Sequence, residues 1–126
     1  MEKRGDIDWD RMYSAFHQRH PPSASVTLSH LSRLLKTVST LHSLGFVHRD
    51  IHDENVRLSL SYPSGVWLVD FGKVRLVNEK DRKNDLQAIL KLVPSALLCT
   101  KDLRAIISNY NIHELMIEFL SRTTDC

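Results

Sequence analysis

Residues 45–72 read Gly45-Phe46-Val47-His48-Arg49-Asp50-Ile51-His52-Asp53-Glu54-Asn55, then Val56-Arg57-Leu58-Ser59-Leu60-Ser61-Tyr62-Pro63-Ser64-Gly65, then Val66-Trp67-Leu68-Val69-Asp70-Phe71-Gly72. Three short pieces in this stretch have strand texture: Phe46-Val47, Val56 to Leu60 and Val66 to Val69. Tyr62-Pro63-Ser64-Gly65 between the last two is a turn sequence, so those two strands are expected to pair as a hairpin. The chemistry-bearing side chains sit at the strand ends. His48 to Asn55 packs histidines, carboxylates and an amide into one loop, and Asp70-Phe71-Gly72 follows the third strand directly. Asp50 and Asn55 taken alone admit a plain reading, in which they hydrogen-bond within a tight loop as Asp and Asn commonly do.

Outward from this stretch the pattern is helical. Leu28, Leu31, Leu34, Leu35, Val38, Leu41 and Leu44 recur at three- and four-residue steps, which predicts a helix over 26–44. Ser25 or Thr27 is expected as its N-cap, and Gly45 falls where a helix reverses into the left-handed C′ conformation. Nearer the start, Trp9, Met12, Tyr13 and Phe16 predict a short amphipathic helix over 8–20 that Pro21-Pro22 stops. Beyond the hairpin, polar residues 78–84 precede a helix opened by Asp85-Leu86, built on Leu86, Ile89, Leu90 and Val93 and ended by Pro94. Two further helical patterns follow, Leu103-Ile106-Ile107-Tyr110 and Leu115-Met116-Phe119-Leu120. The fold class expected is mainly α with a small β-hairpin, an α+β domain.

The 126 residues, 42% hydrophobic and 25% charged, suit a single domain over 1–126, and no repeat, low-complexity tract or long linker divides them. Seventeen basic residues are interspersed with fifteen acidic ones for a net charge of +2, which gives no basic face for nucleic acid. Cys99 and Cys126 are isolated thiols without metal-ligand spacing, so neither a disulfide framework nor structural zinc is expected. The first ten residues are charged and no run is long enough to span a bilayer, so a cytoplasmic, soluble protein without membrane contact is expected.

The segment His48-Arg49-Asp50-Ile51-His52-Asp53-Glu54-Asn55 resembles the protein-kinase catalytic loop H-R-D-x-x-x-x-N, and Asp70-Phe71-Gly72 resembles D-F-G. Each motif also stands where the kinase lobe carries it, the first after a long helix and the second after a hairpin. The resemblance covers most of residues 8–93 and is strongest over 45–72. It implies the C-terminal lobe of a protein-kinase-like domain, with its catalytic core over 26–93 and C-terminal helices over 101–121.

Phosphoryl transfer needs positioning and charge neutralisation more than covalent chemistry. By resemblance, Asp50 orients the acceptor hydroxyl, and Asn55 and Asp70 bind Mg²⁺ and through it ATP. Mg²⁺ favours oxygen ligands and keeps several waters, so one carboxylate and one amide oxygen suffice beside the nucleotide phosphates. Arg49 and His52 complete the catalytic loop, Arg49 as in protein kinases and His52 as in the aminoglycoside phosphotransferase and choline-kinase-like branches. His48, Phe71, Gly72 and Asp85 are expected to support the loop: His48 by packing, Phe71 by packing inward, Asp85 by bracing the loop through backbone hydrogen bonds. The alternative for Asp85 is an ordinary acid in a helix's first turn. Zinc on His48 and His52 would need a helix to put both on one face, and the segment reads as loop.

Residues 73–84 contain no Ser, Thr or Tyr and no A-P-E, so activation by phosphorylation there is excluded. This leaves Glu79 or Asp81 as the acidic partner for Arg49. So short a connection is similar to compact atypical kinases, such as the small kinase of the tRNA threonylcarbamoyl-modification complex. The four glycines form no phosphate loop, and fewer than fifty residues precede the catalytic loop. The β-rich N-terminal lobe is therefore expected to be missing. The function expected is an ATP- and Mg²⁺-dependent phosphotransferase acting on a hydroxyl. Arg49 favours a protein Ser/Thr over a small molecule, and the missing surface comes from a partner or a second copy. The alternatives are a pseudokinase-type interaction module and a truncated gene product.

Overall fold

The computed structural model describes residues 7–10, 13, 23–58, 65–93 and 101–109. The expectations for Met12, Phe16, Pro21-Pro22, the Tyr62–Ser64 turn, Pro94, the helix around 115–120 and both cysteines lie outside them. In chain order the elements are β1 (Ile7–Asp8), α1 (Ala24–Ser43), β2 (Phe46–Val47), β3 (Val56–Leu58), β4 (Val66–Leu68), β5 (Arg75–Leu76), α2 (Glu79–Leu92) and α3 (Lys101–Asn109).

The long helix is capped at Ser23, two residues before the nearer expected cap, Ser25. Ser23, extended at φ −63° and ψ 155°, caps α1 by accepting from the Val26 amide, 3.2 Å. Thr27 instead donates its hydroxyl to the Ser23 carbonyl, 3.1 Å, one turn inside the helix. At the other end Leu44 is the C-cap and Gly45 turns to φ +96°, a conformation a side chain would resist. The apolar period ran on to Leu44, yet that side chain is exposed, because the helix has already stopped at Ser43.

Buried Leu31, Leu34, Leu35 and Val38 form one stripe of α1, and α2, α3, β2 and β4 pack around this helix. The other core members are Trp9, Ile51, Val56, Leu58, Leu68, Leu86, Ile89, Leu90, Val93, Leu103 and Ile107. β3 and β4 pair antiparallel, with Val56 opposite Leu68 and Leu58 opposite Val66, as a hairpin requires. Their alternate residues Val56, Leu58 and Leu68 are buried, which fixes the register.

Three elements depart from the expectations. Ile7–Asp8 is not helical but forms an edge strand on β3, Asp8 opposite Arg57, with an Arg57–Asp8 ion pair at 3.9 Å. Helical backbone begins only at Trp9, whose indole is buried and donates to the Leu92 carbonyl, 3.1 Å, tying the start of the chain to the end of α2. β5 pairs with β2, Phe46 opposite Leu76 and Val47 opposite Arg75, although no strand was expected after Gly72. And α2 begins at Glu79, not Asp85. Asn78 caps it by accepting from the Asp81 amide, 2.9 Å, and Arg82 pairs with Glu79 at 2.6 Å across the first turn, so the polar run 79–84 is helix. The helix ends as expected: Val93 turns extended, at ψ 123°, before Pro94.

Candidate active site

The loop 48–55 is suspended between β2 and β3, and its first residues hang on one carboxylate. Asp85 accepts from the His48 amide at 2.8 Å through Oδ2 and from the Arg49 amide at 2.9 Å through Oδ1. His42 Nε2, from the last turn of α1, meets the same Oδ2 at 2.9 Å. Burial acts to raise the pKa of this carboxyl, but the bonds from His42 and the two amides outweigh it and hold it below the ordinary value. Asp85 lies in the second turn of α2, so the first-turn reading of it falls with the corrected helix start.

Arg49 has φ +73°, a left-handed backbone that costs a non-glycine residue on the order of 1 kcal/mol. Its position is held by the Asp85 bond and by its guanidinium, which reaches Asp81 at 3.5 Å and the Lys73 carbonyl at 3.4 Å. Of the two acidic candidates for Arg49, Asp81 is the neighbour and Glu79 is bound to Arg82.

His48 is fully buried, and its two ring nitrogens do different work. Nδ1 accepts from the Asp50 amide, 3.2 Å, which leaves Nε2 to carry the proton and donate it to the Val69 carbonyl, 3.0 Å. The Val69 amide in turn donates to the Asn55 carbonyl, 3.0 Å. Val69 is therefore clasped between the start and the end of the loop, and Asp70 is the next residue. At φ +61° Asp70 turns away from the strand direction, its Oδ1 3.4 Å from the Gly72 amide. A Cβ added at Gly72 would lie 3.4 Å from that same oxygen.

Within the loop Asn55 is buried, and its Nδ2 donates to the Asp50 carbonyl at 2.9 Å and to Asp50 Oδ2 at 3.1 Å. His52 Nε2 lies 3.0 Å from the same nitrogen and 3.6 Å from Asp50 Oδ1. With the amide nitrogen committed to Asp50, Asn55 keeps its oxygen for another partner. Lys73 closes the other side, Nζ 3.5 Å from Asp50 Oδ1.

Two residues escaped the sequence reading. His42 stands four residues after Val38 and seven after Leu35, so a polar residue on the buried stripe was the available signal. Lys73 gave none, because its partner is brought close only by the turn after Gly72. One expectation is corrected outright. Phe71 does not pack inward: its ring meets His48 edge-on at 5.1 Å but is 52% exposed, because no described residue covers its outer face.

Among the described residues no group of three or more His, Cys, Asp or Glu side chains could hold a metal ion, and no helix is long and apolar enough to cross a membrane. Comparison with known proteins places the chain among kinase-like proteins. The family model described as lipopolysaccharide kinase (Kdo/WaaP) family matches residues 4–110. The chain belongs to that family. The Kdo/WaaP chain is also 39% identical over 57 residues to the eukaryotic translation initiation factor 2-alpha kinase PK4 of Plasmodium berghei (strain Anka), a match covering 45% of this chain and 2% of that protein. Against the serine/threonine-protein kinase MRCK gamma of Homo sapiens it is 33% identical over 67 residues, 53% of this chain and 4% of that one. The Kdo/WaaP chain is thus kinase-like, and it spans only a few per cent of the length of these two relatives.

Proposed function

We propose that this chain forms the C-terminal-lobe half of a Mg²⁺- and ATP-dependent phosphotransferase site that phosphorylates a hydroxyl. The observation that carries the reading is the clasp on Val69. Its bonds to both His48 and Asn55 support the reading in which Asp70, the next residue, works with the loop that bears Asp50 and Asn55. The donor set suits magnesium, since Asp70 offers an exposed carboxylate and Asn55 an amide oxygen, both hard oxygen ligands. These two residues would hold the ion, and two protein ligands suffice when phosphates and water complete the shell. When bound, magnesium supplies neutralisation of charge on the phosphate oxygens. Asp50 accepts the proton side of the acceptor hydroxyl and orients it, and the Asn55 amide fixes the Asp50 carboxylate for that task. Asp85, through the His48 and Arg49 amides, keeps the loop from relaxing.

The acceptor is a hydroxyl of one of two classes. The family's description points to lipopolysaccharide, and the names of the two relatives above are those of an initiation-factor kinase and a serine/threonine-protein kinase. Arg49, as a protein-kinase feature, favours protein Ser/Thr, and His52 in place of the usual lysine favours the small-molecule branches.

The half-exposed Phe71 favours a second reading, a pseudokinase-type module whose uncovered face binds a partner without catalysis. Titration calorimetry with millimolar ATP and Mg²⁺ separates the two. The enzyme reading expects Mg²⁺-dependent binding that Asp70→Ala abolishes and that Asp50→Asn leaves intact while phosphoryl transfer is lost. Absence of binding by the wild-type chain would leave only the module.

A further inference from the structure

Charge on a transferring phosphate calls for a cation close to the reacting atoms, and the lysines of this chain offer one candidate by position. Among the described residues, Lys73 is the only Lys or Arg within ion-pairing distance of Asp50, its Nζ 3.5 Å from Oδ1. Its side chain is 62% exposed, so the ammonium reaches this carboxylate from the solvent side, where a ligand would enter. The backbone beneath it is held. The Lys73 carbonyl accepts from Arg49 Nη1 at 3.4 Å, and the Val74 amide donates to the Phe71 carbonyl at 3.2 Å, closing the turn that follows Asp70. The other basic side chains nearby are engaged: Arg49 is drawn to Asp81, and His52 takes a flank of Asp50 at 3.6 Å.

Building on the magnesium-nucleotide reading above, the geometry points to Lys73 as the residue that binds the terminal phosphate of the nucleotide. The Asp50–Lys73 pair holds the ammonium on a flexible stem beside the proposed reaction centre, where an incoming γ-phosphate exchanges one anionic partner for another. Because the ammonium touches only the last phosphate, it discriminates ATP from ADP. That is a property a merely structural surface lysine lacks.

The test is calorimetric titration of the full chain with Mg·ATP and, separately, with Mg·ADP, for wild type, Lys73→Met and Lys73→Arg. Lys73→Met is expected to weaken Mg·ATP binding about tenfold, the scale of one charge-assisted hydrogen bond, with Mg·ADP affinity unchanged and Lys73→Arg close to wild type. Equal weakening of both nucleotides, or no change in either, would overturn the assignment while leaving the nucleotide site standing. If the wild-type chain binds neither nucleotide, the magnesium-nucleotide reading itself fails and Lys73 falls with it. Exposure of Lys73 makes the variants neutral to folding, which unchanged melting temperatures without nucleotide would verify.

Discussion

Two backbone amides and one imidazole converge on the carboxylate of Asp85, a residue that is 2% exposed. Asp85→Ala would leave the His48 and Arg49 amides without their acceptor and is expected to cost about 3 kcal/mol in urea unfolding, the scale of breaking a buried charged network. The depressed carboxyl also sets a pH dependence. A group that binds its proton more weakly in the native chain than in the unfolded one stabilises the fold above the unfolded value, about 3.9, and loses that contribution as pH falls through the native value. Wild-type stability should therefore fall steeply below about pH 4, and Asp85→Asn should flatten that slope. A slope that the variant leaves unchanged would assign the acid sensitivity to other carboxylates. At this scale the sequence was legible in part. Asp85 could be named from its place after the motifs but its role was left between a loop brace and an ordinary helix acid, whereas His42 and Lys73 depend on partners more than twenty residues away in the chain.

Elements were readable in proportion to their length. α1 has twenty residues and shows its period several times over, so its existence and buried face followed from the leucines. β1 and β5 have two residues each, too few for alternation to appear, and β2, equally short, was readable as Phe46-Val47 although its pairing with β5 was not. The start of α2 was missed for a different reason: its first turn is polar on all sides and is held by a cap and an ion pair in place of apolar burial. That account has a consequence. Asn78→Ala should destabilise the chain by about 1 kcal/mol, and Asn78→Gly by only a few tenths, both read from denaturant midpoints. The first turn of α2 carries Asp81, the neighbour of Arg49, so loss of the cap should also raise amide exchange at Arg49 and Lys73. No change at those amides would mean that the connection after Gly72 is ordered independently of the helix.

For the whole molecule, the fold reduces to a hub helix around which α2, α3 and two small antiparallel ladders pack, with the loop and the Asp70 turn at the ladders' ends. Helix α1 leads through Gly45 and β2 into the loop, and α2 holds the loop by Asp85. The hairpin returns the chain to within hydrogen-bonding reach of both loop ends at Val69. The α+β class and the succession of α1, the β3–β4 pair and α2 could be anticipated from the long apolar periods and the strand texture, whereas β1 and β5 could not. The outward Phe71 could not, since its exposure depends on what surface lies opposite, which no local pattern encodes. The most direct test of a shared metal-nucleotide pocket uses Mn²⁺ in place of Mg²⁺, a paramagnetic ion that also takes hard oxygen ligands, with ATP and amide NMR of the full chain. Selective broadening at residues 50–55 and 69–73, abolished by Asp70→Ala, is the predicted result; broadening elsewhere, or none at these amides, would contradict the account.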